Sequence, residues 1–225
     1  MPRVGCDLVR YCSDACREDH RPEHAAKCKK RAAELRDEVL FKQPESSHDG
    51  DCPICCLPIP TDIQASLLQS CCSKVICNGC AYAHNLRHLR EKSQENCPFC
   101  RHPVPTTQEE ANKIRMKRVE ANNPVAIRKM GVTHWKERDY DGAFKYMSKA
   151  AELGDVNAHY NLSVLYSRGH AVGVEKDEMK MKEVYHLEEA AIAGHPDARY
   201  DLGIYEWNQD RHDRAVKHWI IAANL

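Results

Sequence analysis

All thirteen cysteines of this 225-residue chain lie between residues 6 and 100, and residues 101 to 225 have none. That asymmetry limits the possible folds more than any other feature. Two kinds of construction must share the polypeptide: a front half of small cores braced through sulfur, and a back half that folds by apolar packing alone. The densest stretch reads Cys52-Pro53-Ile54-Cys55, then Cys71-Cys72, then Cys77-Asn78-Gly79-Cys80, and last Cys97-Pro98-Phe99-Cys100. A C-x-x-C turn aims two sulfurs at one point, and four thiolates suit a tetrahedral zinc ion with arms of about 2.3 Å. Three such turns and one adjacent pair supply eight thiols, enough for two zinc ions. Disulfides are the poorer reading: the first residues lack the apolar core of a secretory signal, and thiols in a reducing compartment serve more often as metal ligands.

This order of pairs resembles a RING-type zinc finger, in which pairs one and three share one zinc and pairs two and four the other. The resemblance implies that Cys52, Cys55, Cys77 and Cys80 hold the first ion, and Cys71, Cys72, Cys97 and Cys100 the second. Lys74 stands in the usual histidine slot and, being charged, cannot ligate, so the stretch is similar to the all-cysteine RING subtype. The fourth ligand position falls to Cys72, with His84 as the substitute; Cys56 is left over and reads as a small, partly buried thiol. A RING module binds a ubiquitin-charged conjugating enzyme. By that resemblance Ile54 and Pro98 form the walls of the contact groove, and Arg101 is the cation that bridges ubiquitin and its carrier. The loop from Ala81 to Asn96 lacks the tryptophan of many active members, so Leu86 or Tyr82 would replace it.

Nearer the start, Tyr11-Cys12-Ser13-Asp14-Ala15-Cys16 with His24 and Cys28 resembles the second half of a MYND-type zinc finger, and Cys6 matches its fourth ligand. The first three ligands of that family are absent. Either the chain is a fragment of a longer protein, or Cys12, Cys16, His24 and Cys28 gather one additional zinc; a helix from about Glu23 to Leu40 suits the sequence in both cases.

Past Pro105 the pattern turns helical. Thr107 and Glu110 form a capping box that opens a helix to about Asn122, whose run of Lys113, Arg115, Lys117 and Arg118 reads as a solvated face. Beyond residue 123 the sequence repeats itself. Ala126, Ala158 and Ala198 are offset by 32 and 40 residues, and the pairs beginning at Ala150, Ala190 and Ala222 by 40 and 32. Periods of this size with small residues at fixed places indicate stacked helix pairs. Alanine and glycine mark close backbone approach. Phe144, Met147, Val184, Leu187, Val216 and Trp219 are expected in the layer between, with Gly154 and Gly194 left-handed at helix ends. The strings at 150 to 155 and 190 to 195 make these units similar to Sel-1-like repeats, two full and a third that stops at Leu225. The histidines here share no ligand spacing with any cysteine and are expected at surface or core positions.

The expected architecture is therefore small zinc-stapled α+β modules followed by an all-α helical-repeat solenoid. It comprises a partial finger and helix over 1–40, a linker over 41–50, a RING-type module over 51–105, a connecting helix over 106–122 and repeats over 123–225. Thirty-three basic and thirty-three acidic residues cancel, which disfavours nucleic acid and anionic membranes as partners. No run approaches the roughly 18 apolar residues of a membrane span, and an intracellular protein, cytoplasmic or nuclear, is expected. The functional expectation is a zinc-binding ubiquitin ligase whose repeats recruit a protein partner. A non-catalytic scaffold is the other reading.

Overall fold

The computed structural model describes residues 21–171 and 173–225. The chain divides into two compact units, Met1–Gln43 and Pro44–Leu225. In the first, α1 spans Arg21–Leu40, starting two residues before the expected Glu23. Arg31 Nη1 reaches Glu34 Oε2 at 3.6 Å and Glu38 Oε1 at 3.5 Å along its face; exposed pairs of this kind add only tenths of a kcal/mol, on the order of 0.5. The candidate ligands Cys6, Cys12 and Cys16, and the side chains of His24 and Cys28, lie outside the described residues.

The second unit starts with residues 44–50, which have no regular element yet are fastened to the helices far along the chain. The His48 N–H donates to the Gly194 carbonyl at 3.0 Å, and the His48 ring stacks on His195 with centroids 4.3 Å apart and planes 9° off parallel. Gly194 is at φ +86, and a Cβ there would come 2.7 Å from the Ser46 carbonyl. Turn-rich composition made this stretch read as a linker; the interaction that holds it depends on a residue some 150 positions on, which composition cannot reveal.

Next come β1 (Ser66–Leu68) and β2 (Val75–Cys77), an antiparallel pair in register Ser66 to Cys77 and Leu68 to Val75. Helix α2 (Asn78–Glu91) follows directly, with Cys77 as its N-cap. Cys52, Ile59, Ile76 and Ala81 form the small buried core here. Helix α3 (Gln108–Glu120) is opened by Thr107, whose hydroxyl accepts from the Glu110 N–H at 3.2 Å. The glutamate returns to Thr106 rather than to Thr107, taking its N–H at 2.9 Å, so the expected box closes one residue early. Those donors hold the Glu110 carboxyl below its ordinary pKa.

Six helices complete the chain: α4 (Pro124–Lys136), α5 (Tyr140–Glu152), α6 (Val156–Ser167), α7 (Lys176–Ile192), α8 (Pro196–Trp207) and α9 (His212–Ala223). They pack as consecutive antiparallel pairs, each pair stacked on the next. Asn123, Asp139 and Asp155 cap the starts of α4, α5 and α6 by accepting the N–H three residues on. Gly154 is left-handed at φ +86, as expected for a helix end. Asp155 does more: almost buried, it also takes the Arg128 Nε at 2.8 Å and so joins the first pair to the second. His195 occupies the equivalent place forty residues on, accepting the Ala198 N–H at 3.4 Å through Nδ1.

Ile127, Ala143, Met147, Ala150, Leu162 and Leu165 form a fully buried core. Met147 and Leu187 fill the layer as expected, whereas Val216 is 45% exposed. On α9 the inward stripe is instead Ala215, His218 and Ile221, with the His218 Nδ1 lying 3.5 Å from the Nη1 of fully buried Arg199. Burial of a histidine and an arginine on facing helices displaces the apolar stripe that hydropathy alone assigns.

Two measurements follow. A Cβ at Gly131 would lie 2.8 Å from Met147 Cγ and 3.3 Å from the Ala143 carbonyl oxygen. Gly131→Val is therefore expected to cost on the order of 2 kcal/mol or more in urea unfolding followed by circular dichroism. Burial depresses His186 to about 4, with His159 and Lys182 adding to the effect, and depresses His195 to about 3, with His48 and Arg128 adding. The unfolded chain, whose histidines titrate near 6.5, then binds protons that the folded chain refuses. Stability from these two groups is complete above that pH and declines as pH falls towards 4 and 3. His195→Asn, which keeps a cap acceptor, should narrow the gap in melting temperature between pH 7 and pH 5.

Candidate metal centres

The first and last C-x-x-C turns are built alike. Cys52 N–H donates to the Leu57 carbonyl and Cys97 N–H to the His102 carbonyl, both at 2.8 Å. The residue four places on closes each turn: Cys56 N–H returns to the Cys52 carbonyl at 2.8 Å, and Arg101 N–H to the Cys97 carbonyl at 2.9 Å. Both closing residues are left-handed, Cys56 at φ 56 and Arg101 at φ 60, a conformation disfavoured for side chains with a Cβ. Cys56 is thus exposed at a turn rather than partly buried. Cys77 comes from the end of β2 and Cys80 from the first turn of α2, where the Cys80 N–H donates to Cys77 Sγ at 3.4 Å. The adjacent pair sits on the β1–β2 turn, which the Ser73 N–H closes onto the Gln69 carbonyl at 2.7 Å.

These four pairs alternate. The sulfurs of Cys52, Cys55, Cys77 and Cys80 lie within 4.8 Å of one another, and so do those of Cys71, Cys72, Cys97 and Cys100. Cys55 and Cys77 are 3.8 Å apart, as are Cys72 and Cys97, and Cys71 and Cys100 are 3.4 Å apart. A tetrahedron with arms of about 2.3 Å has edges of about 3.8 Å, far from the roughly 2.05 Å of a disulfide. The nine cysteines from Cys52 to Cys100 are free thiols. Cys71 and Cys72 therefore converge together. His84 does not join them: its Nε2 lies 2.9 Å from the Asn96 carbonyl and 3.0 Å from His88 Nε2. Lys74, in the histidine slot, places its ammonium 5.7 Å from the centre of the Phe99 ring.

The electrostatics within each group are those of acids crowded together. Burial opposes ionisation of Cys52, yet N–H donors from Cys77, Cys55 and Ile54 outweigh it and bring the thiol to about 6. Cys80 moves the other way, to about 12, through burial and the neighbouring sulfurs of Cys77, Cys55 and Cys52. In the second group burial also opposes Cys97, but the Cys100 and Phe99 N–H groups lower it; burial and then the surrounding sulfurs raise Cys71. In each group one thiol is lowered while neighbours are raised, and a cation at the centre would relieve that crowding. Both groups could hold a metal ion, and an all-sulfur set of four is compatible with zinc. A four-sulfur set leaves no open coordination position, so such an ion would serve structure.

One residue holding the second group in place was not foreseen. Arg118, expected on a solvated face, donates from Nε to Ser73 Oγ at 2.9 Å and from Nη1 to the Cys71 carbonyl at 3.1 Å. No local pattern around Arg118 signals this, because its partners lie more than forty residues earlier. Of the contact candidates, Ile54 is 42% exposed, Pro98 is half-buried and Arg101 is exposed. Of the two substitutes for tryptophan, Tyr82 is exposed and Leu86 half-buried.

Comparison with known proteins bears on the helical part. No family model matches the chain. A stretch of 58 residues is 40% identical to "Putative beta-lactamase HcpC" of Helicobacter pylori, a Sel1-repeat protein, covering 26% of this chain and 19% of that protein. The chain thus spans about a fifth of the length of the curated relative it matches. Together with the stacked pairs, this similarity supports Sel1-like helical repeats.

Removing one sulfur tests the ligand set. Native mass spectrometry of the intact protein should show Cys72→Ala with one metal ion fewer than the unsubstituted chain, and His84→Ala with none lost.

Proposed function

We propose that residues 51–105 form a RING-type zinc module of the all-cysteine kind, with Cys52, Cys55, Cys77 and Cys80 on one zinc and Cys71, Cys72, Cys97 and Cys100 on the other. The chain then acts as a ubiquitin ligase whose Sel1-like repeats recruit a protein. The observation that carries this reading is the alternation of the cysteine pairs, which brings residues as far apart as Cys71 and Cys100, 29 positions along the chain, into one group and leaves Ile54 exposed on its knuckle. In such a module no bond forms to the protein itself. The lysine amine of a substrate attacks the thioester between ubiquitin and its conjugating enzyme, an amide bond replaces the thioester, and the carrier's thiol departs. The module contributes by holding donor and carrier in one geometry, a proximity effect that reaches roughly 7 to 11 kcal/mol in well-oriented intramolecular reactions. Ile54 and Pro98 supply the apolar contact to the carrier. Arg101, a planar cation with five donors, spans carrier and ubiquitin carbonyls.

The second reading is a zinc-held scaffold without transfer activity. It is favoured by the loop after Cys80, where Tyr82 and Leu86 stand in place of the tryptophan of many active members. The Cys6 to Cys28 segment fits either role as the second half of a MYND-type finger. No described helix is long and apolar enough to cross a membrane. The equal count of basic and acidic residues speaks for a protein partner over nucleic acid. The Helicobacter protein is matched over only 19% of its length, too little to lend this chain its activity.

A discharge assay with a panel of ubiquitin-charged conjugating enzymes separates the two. Because Arg101 is left-handed, Arg101→Gly removes the guanidinium without straining the turn, so its effect reads on the cation alone. Metal-loaded protein should speed discharge, and Ile54→Ala and Arg101→Gly should each slow it about tenfold while metal content stays constant. Intact protein that leaves every carrier's discharge rate unchanged would assign the scaffold role.

A further inference from the structure

Where the strands meet the first helix pair, the second unit has a pocket of about 520 Å³. One wall is aliphatic, made by Leu67 and Leu68 of β1, Val75 of β2 and Val125 of α4. The other is cationic: Arg115 from α3, with Arg128 and Lys129 from α4. The charges are unevenly matched. Arg128 is committed to Asp155 at 2.8 Å, and Asp49, which also lines the pocket, lies 3.5 Å from His48 Nε2. Arg115 donates to the neutral Asn112 side chain at 3.3 Å, and among the described residues Lys129 makes no ion pair. The Lys129 ammonium is half-buried and held below its ordinary pKa by burial, then by Arg128, Lys136 and Arg115 around it. Three cations, Arg115, Arg128 and Lys129, face two carboxylates, Asp49 and Asp155, and the surplus positive charge in the cleft creates a field that attracts an anion.

The pocket is too roomy for a single carboxylate or phosphate group, and it falls in the size range of built ligand sites, roughly 300 to 1,000 Å³. Its non-cationic wall carries aliphatic side chains rather than the aromatic faces on which bases stack. Aliphatic and cationic surfaces side by side match a chain in which leucine-like and carboxylate side chains are neighbours. We propose that this pocket takes an acidic peptide segment of a partner protein, its carboxylates on Lys129 and Arg115 and its aliphatic side chains on Leu67, Leu68 and Val125. This rests on the reading of the chain as a protein-recruiting molecule and does not require ubiquitin transfer.

The experiment is selection from a random-peptide phage library on the full chain, then fluorescence anisotropy of a labelled winner. Aspartate and glutamate beside aliphatic residues should be enriched. Lys129→Glu and Arg115→Glu should each weaken binding of the labelled peptide about tenfold or more, and raised salt should weaken it further. Arg87→Glu on α2, which is not among the residues lining this pocket, should leave affinity unchanged. Leu67→Asp, which charges the aliphatic wall at an exposed position, gives a second loss that does not depend on the cations. Circular dichroism and metal content identify any variant that has not folded, and Lys129→Gln then takes its place. Selected peptides without acidic enrichment, or binding indifferent to both charge reversals, overturns the proposal. So does full displacement of the peptide by an equal concentration of inorganic phosphate, which assigns the pocket to a free anion. Because the readout is peptide affinity, loss of discharge activity alone leaves this inference standing, and loss of peptide binding leaves the discharge result standing.

Discussion

Mutual repulsion among sulfurs is the constraint on which the middle of this molecule depends. Eight thiols lie in two groups whose members are within 4.8 Å of one another, and the small core of Cys52, Ile59, Ile76 and Ala81 is far too slight to compress eight charges. A divalent ion at the centre of each group would convert the repulsion into a binding term, and for structural zinc that term is on the order of 10 to 16 kcal/mol in finger peptides. A single pair of three-residue strands and turns with left-handed side chains would become tolerable under such a term. Without it they have little to hold them.

The helical part is held by another kind of physics. Its contacts join neighbours along the array, and small residues let backbones approach until side chains such as Met147 interlock. Polar groups are not excluded from this interior. Asp155 serves two masters there, as cap for α6 and ion-pair partner for Arg128, while His195 in the equivalent place is flanked by the rings of His48 and Tyr160. The array therefore changes its joint chemistry from one unit to the next, from an ion pair to a stack of rings.

How much of this was legible in the sequence differs with the range of the interaction. The cysteine pairs are local turns, so their spacing exposed them, and even the choice between Cys72 and His84 turned on one strand-to-strand turn. The helix pairs declared themselves through offsets between alanines. What stayed hidden was set by partners distant in sequence. Arg118 looked solvated because Ser73 and Cys71 come more than forty residues earlier, and residues 44–50 looked like a plain connector because Gly194 and His195 come so much later. Val216 was misplaced for a related reason: the pairing of Arg199 with His218 buries two residues that hydropathy assigns to water. The Cys56 thiol was misplaced because its backbone angle, not its chemistry, decides where it sits.

The two bonds from Arg118 bear on mechanics. A guanidinium on the helix that precedes the array grips the carbonyl of a sulfur-bearing residue, so the knot and the array are geared together. Whatever the array carries is then presented at a set distance and angle, like a workpiece in a vice, rather than swinging on a tether.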